Sequence, residues 1–290
     1  MSLSLVRKLR HGPLAFLAPF WVALGKVYRK VVVRIPGLSV RQKIGGYGPF
    51  KMLPIFAFSD FENWGGGHNK GFRACVEACR GKQCVFDVGA HVGLVSLPVA
   101  SVLAPEGRLY SFEPADANVS MLRRHLRMNG MDNVQVVQSI VGDAHGAQHR
   151  FFESEGHHGQ NAVILKNQEV LKSEQGGYFE SQRPVVSIDG FAGENGLKPD
   201  IIKIDVEGGE LEVLKGAATV LKQCKPLIFL SVHPAEISMV GHSIQDLKVL
   251  IASLGYDITT IDGDPVEEFA SDEYLMRPKS TSQPIEKTKK

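Results

Sequence analysis

The chain has 290 residues, 43% of them hydrophobic and 22% charged, enough for one large α/β domain with appendages in preference to two small domains sharing a core. Its four cysteines, at positions 75, 79, 84 and 224, form no CxxC pair, which argues against a disulfide framework or a zinc site and fits reduced thiols of an intracellular protein. The net charge of +2 joins a basic front to an acidic remainder: residues 1–59 carry ten Lys or Arg and no acid, which leaves −8 for the rest.

Within the basic front, Pro13 to Leu24 (PLAFLAPFWVAL) is an unbroken apolar run between Arg10 and Lys26, shorter than the ~20 residues that a membrane span needs. It lacks a convincing small-x-small cleavage site, so a signal peptide is the weaker reading. Two readings stay open: a helix packed on the domain, or an interfacial anchor through which residues 1–35 meet anionic lipid. The first makes the protein cytoplasmic and the second membrane-associated. Nucleic acid is not an expected partner, because no aromatic-basic interleaving accompanies the charge.

The glycine-rich stretch Trp64 to Lys70 (WGGGHNK) is expected either to cover a pocket or to connect two parts of the chain. It is not a P-loop, since it lacks the closing Gly-Lys-Ser/Thr. From residue 84 onward, strand-like apolar runs alternate with amphipathic helical ones, the rhythm of a parallel sheet covered by helices. Cys84 to Val88 is predicted as the first core strand and Gly93 to Ala104 as its helix, with Pro98 able to kink or shorten it. Arg108 to Phe112 is the second strand. Val119, Leu122 and Leu126 then mark a helix that Asn129-Gly130 stops, and Val134 to Val137 is the third strand.

Residues 144–183 break the rhythm and are expected to be an insertion or lid. Ile201 to Ile204 resumes it, followed by one helix carrying Leu211, Leu214, Ala218 and Leu221. Pro226 to Val232 is the next strand. Ser243 to Asp246 is a capping box, opening a helix that Gly255 ends. Tyr256 to Ile261 and Tyr274 to Met276 form a closing antiparallel pair. The organisation expected is an arm over 1–59, a domain over 60–278, and a polar, Lys-rich tail over 279–290 without structure.

The chemistry concentrates in the first core turn, Val85-Phe-Asp-Val-Gly-Ala-His-Val-Gly93. A dinucleotide turn needs G-x-G-x-x-G, and His91 fills the place of its middle glycine. A G-x-x-x-G turn preceded by Asp87 suits S-adenosylmethionine instead, whose ammonium Asp87 can pair with and whose carboxylate the amides near the helix start can receive. Gly89, Ala90, His91 and Gly93 make up the turn. Glu113, twenty residues past Gly93 at the end of the second strand, stands where an acid receives ribose hydroxyls, with Pro114 beside it. Asp143, after the third strand, either meets the adenine amino group or is a solvated turn residue.

The block Asp200 to Gly216, DIIKIDVEGGELEVLKG, together with VFDVGAHVG and Phe112-Glu113-Pro114, closely resembles the FkbM family of S-adenosylmethionine-dependent methyltransferases, over about Cys84 to Met276. The resemblance implies a Rossmann-like class I methyltransferase, with a mostly parallel seven-stranded sheet, an antiparallel closing strand and helices on both faces. It implies O-methylation of a hydroxyl on a sugar, glycan or related small metabolite. Asp87, Gly89, Gly93 and Glu113 would contact the cofactor, and Asp205 and Glu207 would line the reacting edge. Family members often carry a glutamate near the end of the fifth strand; this chain has Ser231-Val232-His233, which puts the identity of a general base in doubt.

A hydroxyl acceptor has to lose a proton, and Asp205, Glu207 and His233 all lie at carboxyl ends of predicted strands. His233 is the preferred base, because an imidazole titrates near working pH, with Asp205 orienting it or the acceptor. A structural histidine before Pro234 is the competing reading. The same three residues could hold magnesium, but three ligands from two strand ends are thin support and no metal is expected. A nicotinamide oxidoreductase, which His91 disfavours, and a non-catalytic adenosyl-binding protein are the alternatives.

Overall fold

The computed structural model describes residues 37–66, 69–154 and 178–279. The apolar run 13–24, the arm to residue 35, Gly67 and His68, the centre of the expected insertion and the tail from residue 280 lie outside the described residues.

The described chain opens with an antiparallel hairpin, β1 (Val40–Ile44) and β2 (Tyr47–Met52), so the described end of the expected arm is folded. Its Ile44, Phe50 and Met52 are buried in a core shared with helix α1 (Phe72–Ala78). Strand β3 (Cys84–Val88) follows, then helix α2 (Ser96–Ala100), strand β4 (Arg108–Phe112), helix α3 (Asp116–Asn129) and strand β5 (Val134–Val137). Helix α2 is shorter than the sequence suggests: Gly93 takes φ +95° and Pro98 stands one turn later, so the chain is helical only from Ser96. Helix α3 ends as expected, on Gly130 in the left-handed conformation with its amide returned to Arg127 and Leu126.

The described ends of the expected insertion are largely sheet. β6 (Ile140–Val141) pairs in parallel with the end of β8 (Tyr178–Val186), which pairs antiparallel with β7 (Gln148–Ser154). Helix α4 (Ile188–Asn195) leads into β9 (Ile201–Ile204). The single helix expected next is two, α5 (Glu210–Lys215) and α6 (Ala218–Cys224). A β-carbon on Gly216 would stand 2.1 Å from the Gly142 carbonyl oxygen; the helix breaks where the two backbones touch. Asp189 then accepts from the Thr219 and Val220 amides at 2.8 Å each, starting α6 afresh. β10 (Leu227–Val232), α7 (Pro234–Met239), α8 (Ile244–Ser253) with its capping box, β11 (Tyr256–Thr260) and β12 (Asp272–Pro278) complete the described order.

The main sheet has seven strands in the order β11-β12-β10-β9-β3-β4-β5. β12 is antiparallel to both its neighbours and the pairings from β10 to β5 are parallel. β3, β9 and β10 are almost wholly buried, as strands covered on both faces must be. Phe86, Val88, Ile202, Ile204 and Leu230 pack against α4, α5, α6 and α8 on one face. Val85, Leu109, Ile201 and Phe229 pack against α1, α2, α3 and the hairpin on the other. On that second face the alternation turns polar towards the carboxyl rim: Ser111, Asp87 and Lys203 stand side by side in register on β4, β3 and β9. The sheet supplies a rim of ionisable groups where an apolar layer would otherwise continue.

Candidate active site

A cavity of about 860 Å³ opens over this rim, within the ~300–1,000 Å³ of ligand pockets. The carboxyl ends of five parallel strands contribute to its wall: Gly89 and His91 after β3, Glu113 and Pro114 after β4, Ser139 and Ile140 after β5, Asp205 and Glu207 after β9, and His233 after β10. Phe56, Phe61, Trp64 and Lys70 wall another side, and Phe151 of β7 reaches it from the expected insertion. The described ends of the Trp64–Lys70 stretch therefore border the cavity.

Gly89 takes φ +84°, and a β-carbon there would lie 1.8 Å from the Asp205 carbonyl oxygen. Only glycine lets the turn after β3 pass so close to the end of β9. The Gly89 and Ala90 amides both donate to the Phe112 carbonyl, at 3.0 and 2.9 Å. The His91 amide donates to Glu113 Oε2 at 2.8 Å. These amides face inward, so the turn does not offer the row of donors that cradles a diphosphate. His91 itself holds φ +51°, and burial, followed by the Lys203 charge, lowers the pKa of its imidazole.

Glu113 is 5% exposed. Its Oε1 accepts from the Ala115 amide at 3.0 Å and the Asn118 side chain at 3.1 Å. It thus ties the β3 and β4 turns together while lining the cavity, and burial raises its pKa against those bonds. Asp87 stands behind the wall. Its Oδ2 accepts from Ser96 Oγ at 2.6 Å, and its Oδ1 is 3.8 Å from Lys203 Nζ, without a hydrogen bond. Lys203 thus stands beside Asp87, at the carboxyl expected to pair with a cofactor ammonium. Asp143 is exposed at the cavity edge.

Lys203, which the sequence reading did not single out, also lies 3.2 Å from Asp205 Oδ2. Burial works to lower its pKa, but Asp205 and Asp87 outweigh burial and raise it. Its signal was present: a lysine in the middle of a four-residue buried strand needs a counter-charge nearby. Asp205, with burial opposing, is held low by Lys203 and then by His233.

His233 lies between two carboxylates, with Nδ1 2.7 Å from Glu210 Oε1 and Nε2 3.5 Å from Asp205 Oδ1. Burial pulls its pKa down, but the bond to Glu210 and the charge of Asp205 raise it. Glu207 adopts φ +49° and borders the same corner; burial first, then Asp205, lifts its carboxyl to about 7. The structure therefore gathers all three expected catalytic residues, and adds Glu210. Ser139, also missed, is 2% exposed, and its Oγ in the cavity wall has no hydrogen-bond partner; no local pattern announced it. Among the described residues no group of three or more His, Cys, Asp or Glu is arranged to hold a metal ion.

The family model described as Methyltransferase FkbM domain matches residues 87–258, more than half of the chain. The chain belongs to the FkbM methyltransferase family. As an FkbM methyltransferase it is 25% identical over 206 residues to the AMB antimetabolite synthetase AmbE of Pseudomonas aeruginosa, covering 60% of this chain and 10% of that protein. It is 28% identical over 144 residues to Methyltransferase 1 of Beauveria bassiana, covering 46% of this chain and 57% of that one. The chain thus spans a tenth of the first relative and a little over half of the second. A crystal structure of an FkbM methyltransferase from Methylobacillus flagellatus aligns with 20% identity and a TM-score of 0.43, over 68% of this chain and 44% of that one.

The FkbM domain is that of a methyltransferase dependent on S-adenosylmethionine, and the residues present fit that cofactor. The buried, unpartnered Ser139 Oγ in the cavity wall suits a ligand rich in heteroatoms, and the buried Glu113 carboxyl lines the same wall at the end of β4.

Proposed function

We propose that this FkbM methyltransferase transfers a methyl group to a hydroxyl of a sugar, glycan or related small metabolite. The observation that carries the reading is His233 at the cavity wall, its Nδ1 bonded to a buried carboxylate and its Nε2 beside Asp205. The cofactor's sulfonium supplies an electrophilic methyl, and the transfer itself asks of a protein mainly proximity and alignment. A hydroxyl acceptor asks in addition for a base, since its oxygen is a poor nucleophile until its proton leaves. Neutral His233 takes that proton on Nε2, and Asp205 steadies the resulting imidazolium.

The charge of the wall supports an acceptor that is uncharged or cationic. Eight carboxyl groups border the cavity, two of them, Glu207 and Glu273, lifted to about 7, against two lysines, and Lys203 is committed to Asp87 and Asp205. A phosphorylated acceptor meets repulsion there.

The test is methyl incorporation from labelled cofactor into hydroxyl acceptors, with His233→Gln and Glu207→Gln compared. His233→Gln is expected to lower turnover by roughly 10²- to 10⁴-fold and to leave S-adenosylhomocysteine affinity close to wild type. Unchanged turnover in His233→Gln, with loss in Glu207→Gln, would transfer the base role to Glu207.

A further inference from the structure

We infer that Glu210 is a positioning residue that fixes the His233 imidazole in the one tautomer able to take the acceptor's proton, an inference that rests on the role proposed for His233. Glu210 opens α5, three residues after Glu207, and its side chain is 0% exposed. A carboxylate so deep is costly unless something compensates it. Among the described residues its side chain makes one hydrogen bond, which Oε1 accepts from His233 Nδ1 at 2.7 Å, while Oε2 is buried without a partner. No Arg or Lys among the described residues pairs with it. An acid so buried, whose only hydrogen-bond partner among the described residues is an imidazole, acts through that imidazole.

The consequence is chemical. A carboxylate at Nδ1 obliges that nitrogen to carry the ring proton, which leaves the Nε2 lone pair towards Asp205 and the cavity. The same division of labour orients the histidine of a hydrolase triad, where the buried acid holds the tautomer and stabilises the imidazolium without taking the proton. Here the acceptor's oxygen would bond to the methyl carbon as the cofactor's carbon–sulfur bond broke, the sulfur leaving as a neutral thioether, and the acceptor's O–H proton would go to Nε2. The imidazolium then stands between two carboxylates. The His233 side chain is 22% exposed, so its proton can return to water. The charged groups that face the ring are Glu210 from α5 and Asp205 and Glu207 from the turn after β9, with Lys203 behind Asp205. Of these only Glu210 touches Nδ1.

The test uses Glu210→Gln, Glu210→Asp and His233→Gln in the full chain, each checked for folding by circular dichroism and for S-adenosylhomocysteine affinity. Glu210→Gln is expected to lower turnover about 10-fold or more, and to move both the rising limb of the pH–rate profile and the NMR titration of His233 down by about one to two pH units. Glu210→Asp should recover part of both, and adding Glu210→Gln to His233→Gln should cost nothing further. Unchanged turnover in His233→Gln would overturn His233 as the base. A His233 that titrates in Glu210→Gln where it does in wild type would overturn the role of Glu210, whichever way the first result falls. Should Glu210→Gln fail to fold, the midpoint shift and its sign are read from Glu210→Asp, and no shift there counts against the inference.

Discussion

At residue scale, a single missing β-carbon sets the distance between the two halves of the site. With Asp205 O 1.8 Å from where a Gly89 side chain would begin, Gly89→Ala forces β3 and β9 apart at their carboxyl ends, and the alanine also inherits φ +84°. Backbone in that region costs a non-glycine residue of order 1–3 kcal/mol, and the clash adds to it. The expected outcome is a lowered melting temperature with no measurable S-adenosylhomocysteine binding by calorimetry; wild-type affinity would show that the turn is not where the cofactor rests. Gly89, Asp205 and Glu207 were legible because they sit in sequence blocks that resemble a family. Ser139 and Glu210 were not, because burial without a partner and contact with a residue 23 positions away leave no local trace.

At element scale, two polar clasps bring outlying pieces to the rim. His125, fully buried on α3, accepts from the Leu53 amide at 3.1 Å through Nε2 and donates through Nδ1 to the Val92 carbonyl at 2.8 Å, tying the hairpin exit to the β3 turn. Arg183 of β8 donates to the Pro114 carbonyl at 2.8 Å, pairs with Asp116 at 2.6 Å and bonds the 2%-exposed Glu153 of β7. Arg183→Met strips Glu153 of its counter-charge and Pro114 of its donor, and breaking one side of such a buried pair costs about 3 kcal/mol. Chemical denaturation should show that loss together with weaker cofactor binding; weaker binding at unchanged stability would mean that Arg183 acts on the site alone. Residues 144–183, which include these strands, read as an insertion because they are rich in Gly, Gln, Glu and His with only short apolar pieces. The polar side chains of β7 and β8 are spent on one another.

At the scale of the whole molecule, the fold stores carboxyl groups in the wall of the candidate site. Burial raises Glu207 and Glu273 to about 7, above the ~4.3 of a free glutamate. A carboxyl raised in the folded state contributes stability that is fully present below its unfolded pKa and is lost as pH rises through its folded one. His233, also raised, acts in the same sense. The protein without ligand is therefore expected to melt progressively lower as pH rises from about 4.5 to beyond 7, and Glu207→Gln with Glu273→Gln should flatten that slope. A melting temperature that climbs through this window would show that other groups dominate.

The sequence by itself determined the sheet: apolar runs of four to six residues, glycine stops and a capping box are local signals, and β3, β4, β5, β9 and β10 lie where those signals put them. It also marked Asp205, Glu207 and His233, since carboxyl ends of parallel strands converge whatever the connecting chain does. Only the tertiary structure decided that Asp87 stands behind the wall with Lys203, that one expected helix breaks at Gly216, and that Glu210 reaches the imidazole. Each depends on two segments meeting at hydrogen-bond or van der Waals distance, which no pattern along one segment can encode.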